Sequence, residues 1–156
     1  MPKIDYSRFA PLLALIVLII ISALLSDHFL VPRNLTNVLR QVSYTGIIAL
    51  GMTFVIIAGG IDLSVGSMVA LVGVITVSLL NTIGGDGWSA VYIALAAAVI
   101  LGAVFGAING LLITRGKIAA FVATLATMSI FRSLTLYFSD AGEVVSQNSH
   151  YPDIGG

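Results

Sequence analysis

Long uncharged stretches between the charged residues constrain the fold of this chain more than any other feature. Seven basic and seven acidic residues are distributed over 156 residues, so only 9% of the chain is charged and 58% is hydrophobic. A soluble domain has about 25% charged residues. Because an unpaired charge at the middle of a bilayer is costly, each uncharged stretch predicts a membrane crossing. At about 20 residues per crossing, we expect an all-α transmembrane bundle of about five helices.

The charges and turn residues divide the chain into five helices and a tail. We interpret the first stretch as a helix because its apolar core, residues 12–25, is long for a signal peptide and no clear cleavage site follows it. The polar segment 34–37 is expected to cap the second helix. The tail carries no anchor of its own and is predicted to be an extracytoplasmic loop. The predicted helices are 9–26, 38–60, 63–83, 88–114 and 118–138, and the polar tail is 139–156.

The basic residues give a preferred orientation, because cytoplasmic loops carry an excess of Lys and Arg. A cytoplasmic N-terminus places four basic residues inside, namely Lys3, Arg8, Arg115 and Lys117. The same orientation places Arg33 and Arg40 outside. The count therefore favours a cytoplasmic N-terminus and an extracytoplasmic acidic tail.

Small residues recur at every fourth position of the fourth predicted helix. We name this set the glycine row: Ala98, Gly102, Gly106 and Gly110. Small residues at this spacing allow close packing of helices in lipid. A packing seam inside the bundle is the preferred interpretation, and an interface with a second chain is the alternative. Asn109, beside the row, is expected to bond another helix.

The segment from Gly59 to Gly66 interrupts the apolar pattern. Gly59 and Gly60 weaken the second helix, and Asp62 and Ser64 can accept hydrogen bonds from the first turn of the third. One interpretation is that Asp62 is an N-cap at the cytoplasmic surface. The other is a break within the membrane that lines a water-filled route, because irregular backbone at that depth must be buried in protein or face a cavity.

Arg132 is the single charge within the fifth predicted helix. Counted from Ile118, it lies about 21 Å along that helix. It either extends toward the interface or is held inside the bundle, where arginines often mark a substrate path. The hydroxyls of Thr124, Thr127, Ser129 and Thr53 are suited to a sugar or, more commonly, to a backbone carbonyl.

The same sequence argues against several other functions. It has no cysteine, and His28 and His150 both lie in the outer polar segments, so we expect no metal site and no catalytic residue. It lacks hydrolase and phosphate-binding motifs, which argues against an enzyme. The balanced charge gives no indication of nucleic-acid binding.

Several segments resemble the permease subunits of ribose-type monosaccharide importers of the ATP-binding-cassette (ABC) class. Residues 51–67, with the sequence GMTFVIIAGGIDLSVGS, are similar to the signature of that family. The further matches, in the same order as in the family, are residues 34–41, 106–117, 120–127 and 131–132. The resemblance therefore covers most of the chain from Asn34 to Arg132.

The resemblance implies a permease in the bacterial inner membrane that pairs with a second copy or a paralogue. Its further partners would be ATPase subunits, which use the ATP, and a periplasmic sugar-binding protein, so this chain would bind no cofactor itself. Alternating access needs a hinged element. The expected pathway or hinge residues are Gly59, Gly60, Asp62, Ser64, Gly66, Thr124 and Arg132.

Family members are about twice as long, so the chain resembles their N-terminal half only. Two alternatives remain open. One is a secondary transporter or channel in which Asp62 couples an ion, and the other is an inactive truncated permease. A pentose, a hexose or a related polar solute would suit the polar residues about equally.

Overall fold

The structure, a computed structural model, describes residues 9–155. These residues form helices and no strand, which confirms the all-α prediction for this part of the chain. Lys3 and Arg8, which support the predicted orientation, lie outside the described residues. The helices are α1 (Ala10–Leu25), α2 (Pro32–Ile57), α3 (Val65–Ile83), α4 (Trp88–Thr114), α5 (Ala120–Phe138) and the short α6 (Pro152–Gly155).

Helices α2 to α5 are long and apolar enough to cross a membrane. Helix α1 is also apolar but has only 16 residues. At 1.5 Å per residue it extends about 24 Å, which is less than the hydrocarbon core of about 30 Å. The described residues therefore contain four helices of full spanning length and one shorter apolar helix.

The chain divides into two compact units, and the first comprises residues 1–47. In its described part, α1 has no buried residue. Helix α2 begins at Pro32 and not at the predicted residue 38, because proline is favoured in the first turn of a helix. The predicted capping segment therefore lies inside the helix. Asn34 Nδ2 donates to the Phe29 carbonyl at 2.7 Å, and Thr36 Oγ1 donates to the Pro32 carbonyl at 3.0 Å.

The second unit comprises residues 48–156, and α3 is its central helix. One face of α3 packs against α4 and another packs against α5. Leu80 of α3 forms an apolar cluster with Ala90, Val91 and Ala94 of α4. The rings of Phe105 and Phe131 join α4 to α5, with their centroids 4.9 Å apart.

The glycine row does not form the expected seam among the described residues. A Cβ atom added at Gly102, Gly106 or Gly110 would meet no atom within 4 Å. Helix α4 instead buries Ala90, Val91, Ala94 and Asn109. Ala98 and Gly102 are partly buried, whereas Gly106 and Gly110 are exposed. The alternative, an interface with a second chain, stays a prediction.

The tail from residue 139 onward is docked against α3 and the turn that follows α3. Asn81 Nδ2 of α3 donates to the Val145 carbonyl at 2.9 Å, and the Gln147 N–H donates to Asn81 Oδ1 at 2.9 Å. The side chain of Asn148 is buried and donates to the Gly85 carbonyl at 3.1 Å. Tyr151 packs on the Leu80 cluster. Side-chain amides thus satisfy backbone groups that a tail in solvent would leave to water.

Asp86, in the turn between α3 and α4, adds a charged contact to this anchor. Its Oδ1 accepts hydrogen bonds from the Ser149 hydroxyl at 2.6 Å and from the Ser149 N–H at 2.7 Å. Both bonds favour the ionised carboxylate and lower the pKa of Asp86 below its ordinary value of 3.8. The His150 ring stacks on Trp88 nearby, at a centroid distance of 4.9 Å.

Leu80→Ala tests the apolar contact between α3 and α4. Leu80 is only 1% exposed, so its truncation leaves a cavity and is expected to lower the free energy of unfolding by about 2–4 kcal/mol. Thermal unfolding in detergent measures the change. The matched control is Leu50→Ala, because Leu50 is 68% exposed. Equal effects of the two substitutions would show that Leu80 has no special packing role.

The contact between Asp86 and Ser149 predicts a pH dependence of the tail. Because the pKa of Asp86 is lowered in the folded state, the contact stabilises the docked tail above pH 3.8 and is lost as the pH falls through the folded-state pKa. Trp88, the only tryptophan, reports tail release by its fluorescence. A step below pH 3.8 is expected in the wild type and in Asp140→Asn, and none in Asp86→Asn. A step that persists in Asp86→Asn would contradict this assignment.

Candidate functional site

Residues 58–64 lie between α2 and α3 and are not helical. We name them the break. The Gly59 N–H donates to the Ile56 carbonyl and the Gly60 N–H donates to the Val55 carbonyl, both at 2.9 Å. This pair of bonds is the Schellman termination of a helix, which requires a left-handed residue. Gly59 supplies it, with φ +76°. Helix α2 therefore ends before the predicted residue 60.

Asp62 stabilises the start of α3 through Ser64. Asp62 Oδ1 accepts hydrogen bonds from the Ser64 N–H at 2.8 Å and from the Ser64 hydroxyl at 2.6 Å. Ser64 is the N-cap residue, but its own side chain makes no capping bond. The carboxylate thus lies beside the positive end of the α3 dipole. Asp62 thus accepts hydrogen bonds from the N-cap residue, and Ser64 does not cap the first turn as the sequence predicts.

Asn109 connects this arrangement to α4. Its Nδ2 donates to the Ser64 hydroxyl oxygen at 2.8 Å. Ser64 is 0% exposed and Asn109 is 3% exposed, so this bond is shielded from solvent. The other amide atom, Asn109 Oδ1, has no hydrogen-bond partner among the described residues. A buried polar atom without a partner costs about 1–3 kcal/mol, so the hydrogen-bonding capacity of the Asn109 amide is not fully used.

Thr124 brings α5 to the same place. Its side chain is buried, and its hydroxyl bonds the Ala120 carbonyl of its own helix at 2.8 Å. A longer contact of 3.3 Å reaches the Ile61 carbonyl in the break. The hydroxyls of Thr127, Ser129 and Thr53 all bond carbonyls of their own helices. Thr124 is therefore the one of these hydroxyls that also contacts the break.

The structure brings together some of the predicted site residues and separates others. Asp62, Ser64 and Thr124 meet at the break, where Gly59 and Gly60 end α2. Gly66 is exposed in the first turn of α3. Arg132 is also exposed, and no described residue forms an ion pair with it. It lies about 12 Å farther along α5 than Thr124, so Asp62 and Arg132 do not form a pair.

Asn109 is the residue that the sequence interpretation placed outside the site. The neighbouring glycine row indicates helix packing at this position, and an amide in a transmembrane helix usually bonds another helix. The signal that identifies it is its isolation, because it is the only side-chain amide in α4. An isolated amide in an apolar helix needs a polar partner, and Ser64 is that partner.

We name the polar residues that meet at the break the junction: Asp62, Ser64, Thr124 and Asn109. The junction contains one carboxylate, two hydroxyls and one amide. Among residues 9–155, no three His, Cys, Asp or Glu side chains come together as a metal site. The groups present can exchange hydrogen bonds with a polar, uncharged molecule or with water.

Gly59→Ala tests whether the left-handed turn maintains the break. Alanine has no steric obstacle at this position, but its side chain opposes φ +76°, at a cost of roughly 1–2 kcal/mol. We expect a lower thermal stability in detergent. Gly66→Ala is the control, because it also meets no atom within 4 Å and lies in α3, where alanine favours the helix. Equal loss of stability in both variants would exclude a conformational role for Gly59.

Comparison with known proteins places this sequence in a family. Residues 34–155 match the family described as the permease component of branched-chain amino acid transport systems. This match includes the break, the glycine row and Arg132. No solved structure matches the chain significantly.

Individual relatives agree with the family match. The chain is 46% identical over 148 residues to the ribose import permease protein RbsC of Bacillus subtilis, covering 92% of this chain and 43% of the relative. It is 41% identical over 129 residues to the D-allose transport system permease protein AlsC of Escherichia coli, covering 83% and 38% respectively. The chain thus spans less than half the length of these relatives. Its match over residues 34–155 shows that the chain belongs to this family of transport-system permease components, as a multi-pass inner-membrane protein.

Proposed function

We propose that this chain forms part of the translocation pathway of an ABC importer for a monosaccharide. The observation that carries the proposal is the buried hydrogen bond between Ser64 and Asn109, beside the half-buried Asp62, at a helix break within a set of otherwise apolar helices. Transporters commonly place binding sites at interrupted helices. The names of the relatives, which are import permeases for ribose and D-allose, indicate the substrate class.

The partners of the importer belong to the same proposal. ATPase subunits on the cytoplasmic side hydrolyse the ATP, and an extracytoplasmic sugar-binding protein delivers the substrate. The chain itself binds no cofactor, and its N-terminus is cytoplasmic. Arg115 and Lys117, in the connection between α4 and α5, agree with a cytoplasmic position of that connection. The acidic tail lies at the opposite ends of these helices, which agrees with an extracytoplasmic position.

Arg132 supports an aqueous or protein-covered surface on α5. Its side chain is exposed on a helix that is apolar enough to span the membrane. A guanidinium that faces lipid is costly, so this face of α5 turns toward the pathway or toward another segment of the importer. In the pathway, its donors suit sugar hydroxyls, which are hydrogen-bond acceptors as well as donors.

The glycine row supports a second permease subunit. Gly106 and Gly110 are exposed on α4, and their small size permits close approach of another helix. A second copy or a paralogue of this chain is the proposed occupant.

Uptake of a radiolabelled sugar by membrane vesicles that contain the complete importer tests the pathway residues. Asp62→Asn removes the charge at the break, and Arg132→Gln removes the charge on α5. Each is expected to reduce uptake roughly tenfold or more, which corresponds to about 1.4 kcal/mol. Arg33→Gln is the control, because Arg33 lies in the first unit and is exposed.

Three outcomes would contradict the proposal. Uptake that is unchanged in the Asp62→Asn, Arg132→Gln double variant would exclude these residues from the pathway. Uptake that follows a proton or sodium gradient without ATP would indicate a secondary transporter. A chain that does not co-purify with an ATPase subunit would indicate an inactive fragment.

A further inference from the structure

Helix α4 is held against α3 very differently at its two ends. Near Trp88 it buries three residues, Ala90, Val91 and Ala94, and all three lie with Leu80 in the apolar cluster. Toward its other end, the only buried residue is Asn109. No residue of α4 between Ala94 and Asn109 is buried within the described chain. Asn109 is therefore the one fully buried residue in this half of α4, and its contact with the start of α3 is polar.

The hydrogen bonds at this end form a directed chain. The Asn109 amide donates to Ser64 Oγ at 2.8 Å, and the Ser64 hydroxyl donates its only proton to Asp62 Oδ1 at 2.6 Å. Ser64 is thus the one group that joins α4 to the break. Loss of either partner leaves α4 without a polar connection to the first turn of α3.

The unpartnered Asn109 Oδ1 argues against a permanent, purely structural role for the hydrogen bond between Asn109 and Ser64. Buried polar atoms in proteins nearly always have partners, and an exception needs an explanation. The atom has no hydrogen-bond partner and is inaccessible to solvent in the arrangement described here. A second arrangement that gives it a donor would compete with this one, so the junction has the character of a two-state element.

We propose that the hydrogen bond between Asn109 and Ser64 is a latch that holds the start of α3 against α4 and opens during the transport cycle. Asn109 and Ser64 are then positioning residues, because they act through the placement of Asp62. The opening of the latch rests on the proposed function, because it is expected to occur during the transport cycle of the importer. The closed latch, in contrast, is a property of this chain alone.

A thiol-labelling experiment tests the latch. The chain has no cysteine, so a single introduced thiol can be followed without background. Ala123→Cys is a suitable probe, because Ala123 is 3% exposed and precedes Thr124, whose hydroxyl contacts the break. In membranes, a maleimide is expected to label this cysteine slowly, and Asn109→Leu or Ser64→Ala is expected to accelerate labelling about tenfold by local opening.

Two controls separate loss of the latch from general damage. Ser129→Ala removes an exposed hydroxyl that bonds only its own helix, and it should leave the labelling rate unchanged. The combination of Asn109→Leu with Ser64→Ala should label no faster than Ser64→Ala alone, because Ser64→Ala already breaks the bond to Asn109 as well as the bond to Asp62. Additive acceleration by the two changes, or acceleration by Ser129→Ala, would overturn the proposal. If one variant does not fold, the other breaks the same bond from the opposite side.

Labelling of the assembled importer with and without ATP tests whether the latch opens in the cycle. The wild-type labelling rate is expected to change severalfold with ATP, and Asn109→Leu is expected to remove this difference. Equal wild-type rates in both states would show a static tie and would overturn the latch, even if sugar uptake is normal. Absence of uptake in the wild type would contradict the proposed function, whereas the comparison of single and double variants would still report on the closed latch.

Discussion

The placement of one hydroxyl group determines how the break and the start of α3 are connected to α4. Among the described residues, Ser64 alone bonds both the Asp62 carboxylate and the Asn109 amide. A serine in this position can accept one hydrogen bond and donate another, so it relays the interaction of α4 to the break. An alanine there would leave a buried amide and a carboxylate without this partner. The start of α3, the end of the break and the second half of α4 depend on it together.

The two ends of the α3 and α4 pair use different physical interactions. At the Leu80 end, apolar packing is supported by two side-chain amides, Asn81 of α3 and Asn148 of the tail, which donate to backbone carbonyls. At the Ser64 end, polar bonds replace packing. In lipid, packing of apolar surfaces has no hydrophobic driving force from water, so close fit and hydrogen bonds provide the stability. The pair therefore has a firmly packed end and an end whose contact depends on few atoms.

The sequence predicted the helices and the break but not the way in which they pack. Charge spacing is sufficient for helices, because the cost of a charge in lipid does not depend on the neighbours of a helix. The break was predictable because Gly59 and Gly60 oppose a helix locally. The glycine row was misleading, since spacing shows which residues share a face but not which face meets another helix of the same chain. The role of Asn109 and the docking of the tail depend on contacts between residues that are far apart in sequence.

The docked tail holds the Leu80 end of α3 in place, so a change in the tilt of α3 would be centred near Leu80. Leu80 and Ser64 are separated by about 24 Å along the helix axis. A tilt of α3 by about 5° around the Leu80 cluster would displace Ser64 by about 2 Å over this length. A hydrogen bond does not survive such a displacement, whereas the apolar contacts at the Leu80 cluster would change little. With the Leu80 end held by the tail, a small tilt of α3 is therefore enough to break the hydrogen bond between Ser64 and Asn109 completely.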